Sequence, residues 1–129
     1  MANRYWVGGT AAWDGTAGTK WSLTSGGAGG QAVPTSADDV FFTNLSTGTC
    51  TISTGNTGAK SITCTGFTAT LNIDAAISVA GNITFVSGMT LGGSSRAITT
   101  TASSTLISGG KIFAITVSGG TLTQGDALN

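Results

Sequence analysis

The sequence predicts an all-β protein whose chain coils as a β-solenoid. Thr, Gly and Ser supply 24, 21 and 14 of the 129 residues, a composition that favours strands and turns over helices. Apolar residues recur as i, i+2 pairs: Leu71/Ile73, Ile77/Val79, Ile83/Phe85 and Met89/Leu91. Their first members fall six residues apart each time, and mostly small or turn-forming residues separate them. Alternation puts both members of a pair on one face of a short strand. Three such sides make a coil of about 18 residues, close to the hexapeptide class of β-helix. A β-sandwich or jelly roll is the alternative, but its strands recur at roughly 8–12 residues.

The elements follow in chain order. The composition changes near residue 45. Residues 1–45 hold six of the nine aromatic residues, Tyr5, Trp6, Trp13, Trp21, Phe41 and Phe42, and the single proline, Pro34. They read as an aromatic-rich N-terminal cap or attachment module. Within them Gly26-Gly27-Ala28-Gly29-Gly30 is a loop, because ordering it costs entropy that no side chain repays. Asp38-Asp39 precedes the apolar Val40-Phe41-Phe42, where carboxylates can accept backbone amides at the start of a strand.

Residues 46–129 read as Thr/Gly-rich coils of short strands. Cys50/Ile52 and Ile62/Cys64 form early, less regular sides, followed by the four regular pairs. The step slips at Gly92-Gly93-Ser94-Ser95 and resumes loosely at Leu106, Ile112, Ile115/Val117 and Leu122. Thr and Ser tolerate the outer face of a pleated strand, and hydroxyls stacked in successive coils are expected to bond one another. From Thr121 to Asn129 the pattern stops without the polar terminal cap that a free solenoid requires. The expectation is a longer chain, or a partner over that end.

Charge and residue inventory exclude most chemistry. Only ten residues are charged, five of each sign, and there is neither His nor Glu. No histidine base, Ser-His-Asp triad or histidine metal ligand is available. Glycoside hydrolysis usually needs two carboxyl groups flanking the bond. Asp38 and Asp39 are adjacent and point to opposite faces of a strand, while Asp14, Asp74 and Asp126 have no evident carboxylate partner. The expectation is no enzyme, no cofactor and no metal; a calcium site would want more oxygen ligands than these loops offer. Zero net charge gives no footprint for nucleic acid or for an anionic membrane. It favours association between copies instead. No apolar stretch marks a signal peptide or a membrane helix, so synthesis in the cytoplasm is expected. Cys50 and Cys64 then read as small buried hydrophobes rather than a disulfide.

The aromatic half carries a resemblance. Tyr5-Trp6-Val7-Gly8-Gly9, Trp13-Asp14-Gly15, Lys20-Trp21-Ser22 and the run from Val33-Pro34 through Asp38-Asp39-Val40-Phe41-Phe42 together resemble an N-terminal module of large bacterial and phage β-helix proteins. The likeness is greatest to structural proteins of bacteriophage virions, tail fibres in particular. It covers about residues 5–42, and the remainder matches only in style. The resemblance implies a virion structural protein, a tail fibre or its particle-attachment segment, with capsid decoration as a variant. It also implies partners among further copies of the chain, with homotrimers the habit of such fibres, and among other virion proteins.

Physically, a solenoid's first coil exposes strand edges and an open core, and three tryptophans can supply the lid. The competing use of the same aromatics is a stacking platform for a host-surface glycan. Trp6, Trp13 and Trp21 buried in one cap favour the structural role; a coplanar exposed pair favours sugar binding.

Overall fold

The i, i+2 alternation becomes three sheets wound about one core. The structure, a computed structural model, describes residues 1–15, 18–53, 55 and 58–126. Strands make up 41% of the described residues, no helix occurs among them, and the arrangement is a β-solenoid of about 4 turns. The first sheet stacks β1 (Asn3–Trp6), β4 (Asp39–Thr43), β6 (Ser61–Thr65), β9 (Ile83–Thr84), β12 (Ser104–Ile107) and β14 (Leu122–Gln124) in that order. The second stacks β2 (Ala11–Ala12), β5 (Thr49–Ile52), β7 (Thr70–Ile73) and β10 (Thr90–Gly92). The third holds β8 (Ile77–Val79), β11 (Ala97–Thr100) and β13 (Ala114–Val117). Neighbours in these stacks are parallel. Among the described residues only β3 (Trp21–Ser22) runs antiparallel, on β1. A sandwich is thereby ruled out, since parallel neighbours about 20 residues apart require a coil.

The coil is longer than the six-residue step predicts. Leu71, Ile77 and Ile83 do walk from the second sheet to the third and then to the first. The return falls on Leu91 rather than Met89, so Leu91 pairs with Leu71 after 20 residues. The corner before it turns through Val86-Ser87-Gly88, closed by the Met89 amide on the Val86 carbonyl at 3.3 Å, and this takes up the difference. In the first sheet Val40, Ile62, Ile83, Leu106 and Gln124 succeed one another at steps of 22, 21, 23 and 18 residues. Strand length is constant enough to keep the rows in register; corners absorb the variation.

Most inward rows stack apolar side chain on apolar side chain. Cys50, Leu71 and Leu91 form one, Ile77, Ile98 and Ile115 another. All eight members of the four regular pairs are buried, as alternation requires. A fully buried Leu, Ile or Phe contributes about 1.5–3 kcal/mol, so these rows dominate the cohesion of the coils. Cys50 and Cys64 lie in the same core as free thiols. Burial pushes both thiols up, Cys64 to about 12, so they stay protonated and inert at neutral pH.

Outward rows also stack: Thr49, Thr70 and Thr90 succeed one another on the second sheet. Among the described residues, the hydroxyl-to-hydroxyl bonds expected along such rows are not what ties the coils. Side-chain acceptors near the corners take amides of the next coil instead. Asp74 accepts from Ser94 N at 2.9 Å, Asn82 from Thr105 N at 2.9 Å and Ser103 from Thr121 N at 3.1 Å. Corner amides lie outside the parallel ladder and need a partner, whereas an outward strand hydroxyl such as that of Thr90 faces water. Glycine is required where corners touch. A Cβ on Gly93 would stand 2.4 Å from the Ile73 backbone, and φ of +101° is unfavourable for any side chain.

Thr100 is one of the inward positions that break the apolar rule, as is Ser104. Thr100 is fully buried between Val79 and Val117, and its hydroxyl has no hydrogen-bond partner. Thr100→Val keeps the shape and removes the unpaired group, so it is expected to raise stability by about 1 kcal/mol. Urea unfolding checks this: the midpoint rises while the slope is unchanged.

Candidate functional site

The six aromatics of the N-terminal part separate onto two surfaces. Alternation along β1 sends Trp6 inward and Tyr5 outward; along β4 it sends Phe42 inward and Phe41 outward. Trp6, Trp13 and Trp21 are each 0% exposed. Trp21 meets Trp6 edge-on at 5.1 Å and Trp13 at 4.9 Å, while Phe42 lies 6.3 and 6.2 Å from Trp6 and Trp13. Phe42 in turn contacts Phe67 at 5.1 Å, which carries the aromatic column into the coils. Edge-to-face geometry at these separations is the favoured one for aromatic rings. The antiparallel β3 covers the free edge of β1, and Lys20 pairs with Asp14 nearby.

The lid is anchored by polar contacts. Trp6 Nε1 donates to the Gly9 carbonyl and Trp21 Nε1 to the Asp14 carbonyl, each at 3.2 Å. Trp13 Nε1 is buried without a partner. Asp38 latches the first two coils together: its carboxylate accepts from Ala2 N at 2.9 Å, and from Thr35 N and Oγ1 at 3.0 Å. This is the strand-start role expected of the Asp38-Asp39 pair, but Asp38 alone takes it. Asp39 points outward and bonds side chains of the next coil, Ser61 at 2.6 Å and Lys60 at 3.2 Å.

Tyr5 and Phe41 form the second surface. Their rings stack at 4.7 Å with 17° between planes on the outer face of the first sheet. Beside them a groove of about 270 Å³ is lined by Asp39, Lys60, Ser61, Thr63, Gly81 and Asn82. Lys60, Ser61 and Asn82 escape a sequence reading because the 18-residue coil misaligns them; at the observed step of 22, Ser61 falls beside Asp39.

At the far end the core thins. A second cavity, of about 240 Å³, lies among Leu106, Ile112, Phe113, Ile115 and Leu122, with Lys111 and Gln124 at its wall. Ile112 is 67% exposed and Val117 46%. Asp126 bonds Ser108 N at 2.7 Å and Gly109 N at 2.9 Å. Residues 127–129, which end the segment read as uncapped, lie outside the described residues.

Among the described residues, no three Cys or Asp side chains gather as a metal-ligand set. No family model, no curated protein and no solved structure matches the chain.

The latch makes stability depend on acid. Burial pushes the Asp38 carboxyl up, but the hydrogen bonds from Thr35 and Ala2, helped by Arg4, outweigh it and hold it below its ordinary 3.8. A depressed carboxyl contributes stability that is present above its unfolded value and is lost as pH falls through its folded one. Amide bonds from Ser108 and Gly109 hold Asp126 down in the same way. Asp38→Asn is expected to destabilise the protein at neutral pH by about 1–3 kcal/mol and to flatten the loss of stability below pH 3.8. Thermal melts of both proteins across the acid range measure it; parallel curves would show that Asp38 is not the titrating latch.

Proposed function

We propose that the chain is a structural component of a bacteriophage virion, a segment of a tail fibre or the part of it that attaches to the particle. Burial of all three tryptophans in one lid carries this reading. It leaves them as packing, which suits a protein whose task is a rigid shape, and withholds them from any ligand. The resemblance of residues 5–42 to the opening of such proteins supports the same reading, as does a core of stacked apolar residues. On this reading the partners are further copies of the chain and other particle proteins, which would cover Ile112 and Val117. Capsid decoration is the variant in which the same shape sits on the head rather than the tail.

The reading makes a direct prediction. Mass spectrometry of gradient-purified particles from a phage carrying this gene finds the chain at a fixed copy number. Its absence from particles, with the protein present in the lysate, contradicts the assignment.

A further inference from the structure

We propose that the end of the solenoid formed by its last described coil is a self-complementary docking surface for a second copy of this chain. Ile112 of each copy fills the cavity lined by Leu106, Phe113, Ile115 and Leu122 of the other. The inference rests on the reading above only in taking copies of the chain as partners. It adds which surface they share and how many copies it joins.

The surface exists because this coil has a neighbour on one side only. The inward rows Ile77–Ile98–Ile115 and Val79–Thr100–Val117 end on it. With nothing stacked on them, Ile115 is half-buried and Val117 is 46% exposed. The core stays open here as a cavity of about 240 Å³, and Ile112, which lines it, is 67% exposed. An aliphatic knob therefore stands beside an apolar hole, and removing both from water drives association. The backbone adds to this. β13 and β14 are the last strands of their sheets, so one side of each has no strand partner among the described residues. Such edges template pairing with another chain.

Three features fit a second copy to this surface. Knob and hole lie on one patch, and a patch that carries both halves of a contact matches itself about a two-fold axis, joining two copies and then closing. An edge brought against its own copy by that axis runs antiparallel to it, a pairing that strands accept. The opposite end offers no open core to a head-to-tail neighbour, since Trp6, Trp13 and Trp21 are each 0% exposed and β3 lies on the edge of β1. Charge is balanced as well. Lys111 lines the cavity, and the Gln124 amide beside it donates to the Asp126 carbonyl, so the patch holds one charge of each sign and copies do not repel across it. A further stacked coil fits less well. The row Val40, Ile62, Ile83 and Leu106 ends in Gln124, which is exposed, and a coil laid over it would bury an amide at a cost. Size points to a side chain rather than a drug-sized ligand, whose pockets begin at roughly 300 Å³.

Sedimentation velocity of the intact protein, from micromolar to millimolar concentration, tests the proposal. The expected result is a monomer–dimer equilibrium with no larger species. Ile112→Lys, at an exposed position, should raise the dissociation constant about thirtyfold or more, the effect of losing a central anchor. The melting temperature of the dilute monomer should stay unchanged. Ile112→Met should keep most of the affinity. Leu45→Lys, a change at a 53% exposed residue of the lidded part, should leave association as it is. The proposal is overturned if the wild type is monomeric throughout, which would leave the cavity to a different molecule. Species that grow beyond the dimer with concentration overturn it too, as a head-to-tail stack would produce them. It is equally overturned if Ile112→Lys dimerises like the wild type, or if Leu45→Lys weakens association as much. Particle composition is measured separately, so failure here is distinguishable from failure of the virion reading.

Discussion

A single coil of this chain cannot bury its own apolar side chains. Each inward pair is covered from above and below by the pairs of adjacent coils, and the rest of the structure follows from that dependence. Stability in such a stack is a sum over neighbouring contacts, so a coil with only one neighbour is the weak point. The end formed by the first coil solves the problem with rings. Trp6, Trp13 and Trp21 close over Phe42 at 0% exposure, and the antiparallel β3 occupies the edge that would otherwise template another chain. Large buried area from a few residues is what a lid needs, since no further coil shares the task.

The same dependence explains the polar side chains. Strand amides are paired by the parallel ladder, but corner amides are not. Asp38, Asp74, Asn82, Ser103 and Asp126 each accept an amide from a neighbouring coil, and four of these five carry a carboxylate or carboxamide. Most aspartates are thus committed to corner clamps, which accounts for a chain that is poor in charge yet keeps its carboxylates. Glycine at crowded corners such as Gly93 completes the device by letting successive backbones touch.

Much of the fold is legible in the sequence because an inward pair leaves a signal of period two. Leu71/Ile73 through Met89/Leu91 are apolar for one reason, and they occupy the three sheets in turn. Coil length is not legible in the same way. Corners are built from small residues that admit insertion, and the two residues added after Val86 leave no hydrophobic mark. That error conceals the outer groove, because Asp39, Ser61 and Asn82 become neighbours only at the observed steps. The six aromatics were legible as a set but not in their division: Tyr5 and Phe41 differ from Trp6 and Phe42 only in strand parity. Thr100 shows the limit from the other side, a residue that reads as surface and lies in the core.

These features together build a stack of coils that is tied at its corners and closed by aromatic rings at one end. The central claim is that the aromatic lid holds the whole stack, not only the coil beneath it. Native-state hydrogen exchange on the wild type and on Trp21→Ala tests it most directly. The account predicts that truncating Trp21, a change that costs about 3–5 kcal/mol in a packed core, lowers amide protection from β1 through the strands of the following coils, β4 to β9. Loss confined to residues 3–22, with β6 to β9 as protected as before, would contradict it.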